Sequence, residues 1–530
     1  MLALSIFCGS RLSVGFGVAL LEGCEHHASQ RTTFLMILEN LLSGFTVLFD
    51  VWTLSAALLG LLIGVIVGAI PGLTATMTIA TLVPFTFFLS PMISLGFLLG
   101  VYKGAVYGGS IPAILLNTPG TAAAAATSLD GHQLARKGFA KKALQMSLAG
   151  SVMGDLLATA VLIAVAAPLA SIAIKFSSPE YTLLFLFSLT LIATVGGKSI
   201  SKGLCSALLG ALVGCIGMEP ATGAQRYVFD VSELLGGIPL VPLLIGMFAL
   251  SEVLQRIGEP LSERIKVTGK LKQGESVTFA EIKANIKNIF RSSCLGTAIG
   301  ALPGLGAEIA CWVAYGIARK RSKEPEKFGS GSLEGVAAAE SSNNATVPST
   351  LIPMLVFGIP GDVVTAVLLG AFIAQGLTPG PLLFVNHGAL IYSLFALLIV
   401  TNIALIFVGL FAIRGFSRLT ELPQPYVFAC VLVLCVAGAY AINSDFFDVT
   451  IMFLGGLLGY LMRRIGLPIP AFIIAVLLSP SLESNLRQTL TMSDGSLAIF
   501  VQRPISLTLL SLFGAAFFII FFKKAVIRKT

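Results

Sequence analysis

The feature that most constrains this chain is a glycine-proline motif that occurs twice inside strongly apolar sequence. Gly68-Ala-Ile-Pro71-Gly72-Leu reappears 232 residues later as Gly300-Ala-Leu-Pro303-Gly304-Leu. Proline and glycine interrupt helices, and paired interrupted apolar segments in two related halves are typical of transporter binding sites. We therefore interpret six residues as structural hinges: Gly68, Pro71, Gly72, Gly300, Pro303 and Gly304.

A second pair of motifs follows the first in the same order. The segment from Ile111-Pro112 to Pro119-Gly120 aligns with the segment from Ile352-Pro353 to Pro360-Gly361 at an offset of 241 residues. Two ordered pairs indicate duplication of an ancestral unit. We predict an internal, inverted repeat with broken or re-entrant helical elements.

Composition places the chain in a membrane. Of 530 residues, 56% are hydrophobic and only 11% are charged, whereas soluble domains carry about 25% charged residues. Apolar stretches of roughly 20 residues, enough to cross the hydrocarbon core as a helix, recur along the chain. We predict an all-α polytopic membrane protein with about 10–12 transmembrane helices.

The net charge of +8 does not indicate a nucleic-acid partner, because the basic residues lie in short loops between apolar runs. Such loops are typical of the cytoplasmic side of a membrane protein. The cytoplasmic candidates are 136–142, 319–327, 463–464 and the basic C-terminal tail.

Four regions follow from these patterns. We predict an N-terminal extension at 1–36, disordered or preceding a true start at Met36, and a first membrane repeat at 37–256. A polar connector occupies 257–291, and a second membrane repeat with C-terminal spans and a basic tail occupies 292–530.

The second Pro-Gly motif leaves two interpretations open. Basic residues flank both ends of 292–318, and only eleven residues, about 16 Å of helix, precede the break. The segment either enters halfway and returns to the same side, or it is a broken full-length span.

The Pro-Gly breaks predict a polar site within the membrane. Peptide groups released from a helix cannot remain exposed to lipid, because each unsatisfied group costs several kcal/mol there. Amides, hydroxyls and helix N-termini near such a break suit a carboxylate ligand. The candidate substrate contacts in the first half are Ser110, Asn117, Thr118, Pro119, Gly120 and Thr121, with tight helix packing as the alternative role for the small residues.

Lys103 lies in an otherwise uncharged apolar stretch, and ionisable groups inside a membrane are functional candidates. It either attracts the anionic substrate, extends to the membrane surface, or pairs with Asp155 or Glu308.

The second half carries a polar block directly before its own Pro-Gly break. A carboxylate, two amides and a hydroxyl supply oxygen ligands for sodium or accept a proton, and a helix-capping cluster is the alternative. The candidate coupling-ion residues are Glu340, Asn343, Asn344 and Thr346. The break itself adds Gly358, Pro360, Gly361 and Asp362 to the candidate substrate contacts.

Catalytic motifs fail on spacing. Gly197-Lys198-Ser199 lacks the earlier glycine of a phosphate-binding loop, and Asp155 and Asp362 lack the second glycine of intramembrane aspartyl proteases. We therefore predict no enzyme activity, no metal and no organic cofactor.

Three ordered blocks resemble the large membrane subunit of the tripartite tricarboxylate transporters, the TctA family. The blocks are Gly68–Leu73, Gly104–Gly138 and Gly335–Pro381, and the resemblance extends over about 37–500. It implies a permease of the bacterial inner membrane that works with a small four-span membrane subunit and a periplasmic solute-binding protein.

The resemblance also implies uptake of tricarboxylates or related organic acids, driven by a sodium or proton gradient. Lys103 and Ala339 depart from the family pattern, where an aromatic or polar residue and a proline are more usual, so substrate choice stays open. An anion channel and, less favoured, a membrane-embedded hydrolase are the alternative functions.

Overall fold

The computed structural model describes residues 39–195, 199–219, 222–257, 275–415 and 424–527. Within these ranges the chain is helical apart from one short antiparallel pair, β1 (Gly217–Met218) and β2 (Gln225–Arg226). The predicted N-terminal extension and much of the predicted connector lie outside the described residues. The predicted all-helical fold is confirmed.

After a short helical segment at 39–44, the described residues of the first half form α1 Val51–Gly68, α2 Ala75–Thr86, α3 Pro91–Gly108, α4 Ser110–Leu116, α5 Ala125–Arg136, α6 Ala140–Ala173, α7 Ser178–Val195, α8 Ile200–Gly214, α9 Leu240–Leu244 and α10 Ser251–Ile257. A π-helical turn, Ile245–Leu250, joins α9 to α10, so that the three form one 18-residue rod.

The second half begins with α11, Phe279–Gly300, which includes the last part of the predicted connector. The described helices that follow are α12 Gly306–Arg321, α13 Leu333–Phe357, α14 Val363–Ala374, α15 Pro381–Asn386, α16 Gly388–Gly415, α17 Gln424–Asn443, α18 Phe446–Ile465, α19 Ile469–Met492, α20 Ile499–Gln502 and α21 Pro504–Ile527.

Eight described helices are long and apolar enough to cross a membrane, and five shorter apolar helices have 10–17 residues. The central helix α13 is not among them, although it is buried from Gly335 to Val356. A helix enclosed by other helices contacts no lipid, so its polar residues carry no lipid-exposure cost. The polar residues of α13 lower its hydropathy, and this is why hydropathy alone misses this buried helix.

Glycines fix the contact between α1 and α3. Gly60, Gly64 and Gly68 of α1 face α3, and a Cβ added to Gly64 would lie 2.3 Å from the Val101 carbonyl oxygen. A Cβ on Gly104 of α3 would lie 2.3 Å from the Leu61 carbonyl oxygen. The two helices run parallel with their backbones in contact, as small residues at four-residue spacing permit.

The two copies of the first motif have the same backbone geometry. Helices α1 and α11 end at Gly68 and Gly300, and the following glycines, Gly72 and Gly304, have φ of 92° and 81°. The same three turn bonds close both loops: 69→65, 70→67 and 73→70 in the first copy, and 301→297, 302→299 and 305→302 in the second.

The second motif is also duplicated in structure. Asn117 and Gly358, aligned at the offset of 241 residues, both adopt the left-handed conformation, with φ of 56° and 71°. The Thr118 amide donates to the Pro112 carbonyl over 3.3 Å, and the Ile359 amide donates to the Pro353 carbonyl over 3.2 Å. The sequence repeat is therefore a repeat of local structure.

The second Pro-Gly segment is a helical hairpin. Near the start of α13, the main-chain carbonyl of Glu334 accepts from Asn288 of α11 at 2.9 Å, and the Glu334 side chain accepts from Ser322 at the end of α12 at 2.6 Å. Both arms thus reach the same end of α13, while the loop between them contacts Gly361, beyond the opposite end of α13. Of the two predicted alternatives, the structure has the returning hairpin.

The two repeats are inverted. Helix α3 is antiparallel to α6, because Ser110 contacts Ser147 and Lys103 contacts Asp155. Helix α13 is parallel to α6, because Gly150 lies at Ala337 and Gly154 lies at Ser341. The equivalent helices α3 and α13 consequently run in opposite directions, and the predicted inversion is confirmed.

Two predicted cytoplasmic loops lie at one end of the molecule. The Lys137 ammonium donates to the Ser330 carbonyl at 2.6 Å, and Lys142 pairs with Glu281 at 2.6 Å. Just beyond the other end of α6, Ser178 donates to Gln488 of α19 at 2.6 Å. On the same part of α19, Glu483 forms a bidentate pair with Arg226 at 2.8 and 3.1 Å. The loop of β1 and β2 therefore lies on the side opposite to the basic loops.

Candidate functional site

Each Pro-Gly break is formed by two motifs of the same repeat. In the first, the Gly120 amide donates to the Gly109 carbonyl at 3.1 Å, and a Cβ on Gly120 would lie 2.4 Å from the Gly68 carbonyl oxygen. In the second, the Gly304 amide donates to the Gly361 carbonyl at 2.7 Å. The predicted hinges and the predicted substrate loops are therefore in direct contact.

The two breaks lie at neighbouring levels of α3. Gly120 packs at Gly109, whereas Asp362 accepts a 2.7 Å hydrogen bond from the Tyr102 hydroxyl. Tyr102 and Gly109 are seven residues apart, which corresponds to about 10 Å along a helix. The inverted repeats thus bring their broken segments close together in the interior.

In the first break, the predicted loop residues differ in exposure. Asn117 and Pro119 are exposed, Thr118 is half-buried and Gly120 is buried. The Thr118 hydroxyl has no hydrogen-bond partner among the described residues. The Thr121 hydroxyl accepts from the Ala124 amide at 3.3 Å and caps the start of the helical segment that continues into α5.

Ser110 lies outside this loop surface. Its hydroxyl is fully buried, donates to the Tyr107 carbonyl at 2.8 Å and accepts from Ser147 of α6 at 2.9 Å. The bond with Ser147 joins α4 to α6, so Ser110 has a packing role in this structure.

In the second break, Pro360 and Gly361 are buried and Gly358 is half-buried. Asp362 caps α14, because its Oδ1 accepts from the Thr365 amide at 2.8 Å and the Thr365 hydroxyl at 2.7 Å. Its Oδ2 accepts from Tyr102. Both carboxylate oxygens are engaged by neutral donors, so Asp362 orders the break.

Lys103 is fully buried and its ammonium is paired. It lies 2.9 Å from Asp155 Oδ1 and donates to the Leu398 carbonyl at 2.5 Å. Of the roles predicted for Lys103, the structure has the pair with Asp155. Removing one member of a buried ion pair costs about 3–5 kcal/mol, since the other charge stays behind unpaired.

Glu340 is a fully buried carboxylate surrounded by neutral donors. Its oxygens accept from the Thr127 hydroxyl and, at 3.2 Å, from the Ser151 hydroxyl. None of the ion pairs found in the described ranges includes Glu340. In this respect it differs from Asp155, whose charge is balanced by Lys103.

The side chains next to Glu340 have unused hydrogen-bonding capacity. Asn344 donates to Ser151 at 2.7 Å, but its Oδ1 has no partner in the described chain, and neither does either polar atom of Asn343 or the hydroxyl of Ser342. Thr346 donates to the Asn343 carbonyl at 2.6 Å. An unsatisfied buried polar group costs about 1–3 kcal/mol, so this cluster is built at an energetic disadvantage unless a ligand completes it.

Of the predicted coupling-ion residues, Glu340 and Asn344 are joined through Ser151, whereas Thr346 bonds only the Asn343 main chain. The partners Ser151 and Thr127 were missed by the sequence reasoning. Ser147 and Ser151, with Asp155 and Thr159 further along, repeat every fourth residue of α6 and form a polar stripe on an otherwise apolar helix. That spacing was the available signal. Thr127 had no such signal, because it reaches Glu340 only through the fold.

A positive charge lies beside the first break. A Cβ on Gly72 would lie 3.2 Å from the Arg256 guanidinium, and Glu252 pairs with both Arg256, at 3.2 Å, and Arg463, at 2.5 Å. The loop at Gly72 therefore lies next to a cluster of paired ionic side chains. The second break has acidic neighbours instead, Asp362 and Glu308 of α12.

A cavity of about 400 Å³ lies between α6, α11 and α13, lined by apolar residues such as Val161, Ala298 and Phe357. It contains none of the predicted site residues. Its lining offers almost no polar group, so it is not suited to an acid.

Comparisons with known proteins agree with these observations. The sequence model described as "Tripartite tricarboxylate transporter TctA family" matches residues 54–474. An Agrobacterium vitis protein, "Uncharacterized 52.8 kDa protein in TAR-I ttuC' 3'region", is 36% identical over 479 residues, which cover 90% of this chain and 94% of that protein.

A second Agrobacterium vitis protein, "Uncharacterized protein in TAR-II ttuC' 3'region", is 36% identical over 217 residues, 41% of this chain and 90% of that protein. No solved structure matches the chain.

Proposed function

Because the chain belongs to the tripartite tricarboxylate transporter TctA family, we propose that it takes up tricarboxylates or related organic acids as the large permease subunit, driven by a cation gradient. The family is one of transporters. The observation that carries the proposal is the inverted pair of Pro-Gly breaks beside a buried oxygen-rich cluster, the arrangement expected of alternating-access carriers.

The first break is the proposed anion contact. Asn117 and Pro119 are exposed there, the Thr121-capped helix start points its dipole into the loop, and the Arg256 side chain lies at Gly72. Amide donors and a helix N-terminus both favour a carboxylate. The segment 358–362 forms the facing wall, with Asp362 as its ordering residue rather than a direct substrate ligand.

The Glu340 cluster is the proposed coupling-ion site. Glu340, Asn343 and Asn344 provide a carboxylate and two amide oxygens, and Ser151 and Thr127 add hydroxyls. Sodium prefers such hard oxygen ligands, and a proton on Glu340 would neutralise the same charge. Both ions remove the cost of an unbalanced carboxylate at this depth.

The family description implies further subunits. We propose a small four-span membrane subunit and a periplasmic solute-binding protein as partners, and the bacterial inner membrane as the location. The end with Lys137 and Lys142 would face the cytoplasm, and the end with Arg226 would receive the binding protein.

The test is uptake of labelled organic acids into proteoliposomes that contain the chain with its partner subunits. Accumulation against a concentration gradient, lost on collapse of the cation gradient, is expected of a carrier; passive equilibration would instead indicate a channel. Replacing Pro119-Gly120 by Ala-Ala should abolish uptake while membrane insertion is retained.

Glu340→Gln separates sodium from proton coupling. Gln keeps an oxygen acceptor but has no negative charge and cannot be protonated. For sodium coupling, we expect the half-saturating sodium concentration to rise at least tenfold; for proton coupling, net uptake should stop while exchange of internal and external substrate continues. Normal gradient-driven uptake by this variant would remove Glu340 from the mechanism.

A further inference from the structure

The buried ammonium of Lys103 lies in a set of ligands that resembles a cation site. Its two close contacts are the Asp155 carboxylate at 2.9 Å and the Leu398 main-chain carbonyl at 2.5 Å. Asp155 Oδ1 also accepts from Thr159 at 3.0 Å. Carboxylate and carbonyl oxygens are the ligands that proteins use for hard cations.

Two further buried oxygens in this region have no donor among the described residues. They are Asp155 Oδ2 and Asn402 Oδ1, on side chains that are 0% and 1% exposed. Asn402 is anchored next to Asp155, since its amide nitrogen donates to the Val152 carbonyl at 3.0 Å, one turn earlier on α6. Leu398 and Asn402 are one turn apart on α16. The region has more oxygen acceptors than donors.

The repeat assigns Lys103 an equivalent in the second half. The offset of 241 residues that aligns the second motif also aligns packing contacts. A Cβ on Gly120 would lie 2.9 Å from Gly109 Cα, and one on Gly361 would lie 2.7 Å from Thr350 Cα. The same offset places Lys103 at Asn344, which contacts Ser151 beside Glu340 and whose Oδ1 has no partner in the described chain.

The two equivalent positions thus differ in one respect. At the first, a positive charge is covalently attached and sits beside a carboxylate of α6. At the second, a neutral amide sits beside a carboxylate that no cation from the described residues balances.

We propose that Asp155 and the Leu398 carbonyl form a monovalent-cation site that the Lys103 ammonium occupies permanently, with Asn402 Oδ1 as the spare oxygen that completes the site when a free ion replaces the ammonium. This leaves the equivalent position beside Glu340 as the one open to an exchangeable ion. Only that last comparison rests on the proposed function; the occupied site is a property of the fold and is testable without transport.

The test removes the tethered charge and asks whether a free ion replaces it. Lys103→Met keeps the length and apolar stem of the side chain. Thermal unfolding of the purified variant is measured in sodium chloride and in N-methylglucamine chloride at equal ionic strength. We expect a sodium-dependent rise of roughly 4 °C or more, since an ion that binds only the folded state stabilises it by mass action.

The matched control is the double variant Lys103→Met with Asp155→Asn. It lacks the carboxylate but keeps Glu340, so any sodium effect at Glu340 is common to both variants. The proposal expects the sodium response of the single variant to exceed that of the double variant, with Asn402→Leu reducing the excess. Equal responses of the single and double variants would overturn it.

If Lys103→Met unfolds without sodium, the stability of the double variant in the same buffer decides between an unbalanced carboxylate and lost packing. A folded double variant together with a single variant that survives only in sodium supports the site, because the fault is then the unbalanced carboxylate. A double variant that is as unstable as the single variant overturns the proposal, since lost packing would explain both. A failure of organic-acid transport would affect the proposed function but not this result.

Discussion

The Gly304 amide donates a 2.7 Å hydrogen bond to the Gly361 carbonyl, joining the two Pro-Gly motifs of the second repeat across 57 positions of sequence. In the first repeat the corresponding glycines, Gly72 and Gly120, belong to motifs that meet at Gly68. The motifs are therefore halves of one break, joined by a peptide hydrogen bond in the second repeat and by close backbone packing in the first. This explains why the two motifs occur together in each half of the chain.

The first prediction concerns these close approaches. Gly361→Ala places a Cβ 2.7 Å from Thr350 Cα, and Gly120→Ala places one 2.4 Å from the Gly68 carbonyl oxygen. Overpacking of this kind costs about 1–3 kcal/mol and displaces the loop, so we expect uptake to fall at least tenfold. Uptake and thermal stability in detergent are the measurements. Gly316→Ala on α12 is the control, because nothing lies within 4 Å of its added Cβ; an equal loss there would contradict the explanation.

The second prediction concerns the bond between the repeats. Tyr102→Phe removes the hydroxyl that donates to Asp362 Oδ2 at 2.7 Å and leaves a buried carboxylate oxygen without its donor. We expect a loss of about 1–3 kcal/mol of stability and a lower uptake rate. Tyr440→Phe provides the comparison, because Tyr440 is 40% exposed on α17. If both variants unfold at the wild-type temperature, the Tyr102 bond has no energetic role.

The third prediction is a pH dependence at the basic end. The Lys142 ammonium, followed by the Thr278 backbone, holds the pKa of Glu281 below its ordinary value. A lowered folded-state pKa contributes stability above the unfolded pKa, and this stability is lost as pH falls through the folded pKa. Glu281→Gln keeps the capping box with Thr278 but removes the charge, so it should cost less than about 1 kcal/mol at neutral pH.

The measurement is the difference in unfolding temperature between wild type and Glu281→Gln as a function of pH. The difference should shrink towards zero as the solution is acidified below the pKa of the carboxyl. A difference that is constant with pH would indicate that the lost contact is not the ion pair. Raising the salt concentration at neutral pH should also reduce it.

The fourth prediction is sidedness. Single cysteines in place of Glu324, after α12, and Ser232, after β2, are to be labelled with a membrane-impermeant thiol reagent in whole cells and in inverted vesicles. Because these loops lie at opposite ends of α6, we expect Ser232→Cys to react in whole cells and Glu324→Cys to react only in inverted vesicles. Reaction of both from the same side would contradict the placement of these two loops at opposite ends of α6.

Sequence alone was sufficient for the features that depend on local backbone chemistry. Glycine and proline interrupt helices, so the breaks at Pro71-Gly72 and Pro303-Gly304 were recognisable from the repeated motifs, whereas the left-handed conformation of Asn117 and Gly358 was not predicted. The polar block at Glu340–Thr346 was recognisable for a different reason, because polar residues inside apolar sequence require partners.

Contacts between distant segments were not predictable in the same way. Ser151 and Thr127, the partners of Glu340, lie 189 and 213 residues away from it in sequence. Ser151 is one of the polar residues that recur at every fourth position of α6, whereas Thr127 is brought to Glu340 only by the fold. The choice between a hairpin and a broken span also depends on where α12 ends relative to α13. Tertiary packing decides between these two arrangements, because both have similar local geometry at the break.

The opposite directions of α3 and α13 have a consequence for ancestry. Two equivalent units in opposite orientations imply an ancestral polypeptide that could insert into the membrane in either direction. That polypeptide also had to pair with an inverted copy of itself. Such a dual-topology ancestor needs nearly balanced lysine and arginine counts on its two faces. After gene fusion the orientation of each half was fixed, so basic residues could accumulate on one side. Lys137, Lys142 and Arg319 lie together at one end of the molecule, as this history predicts.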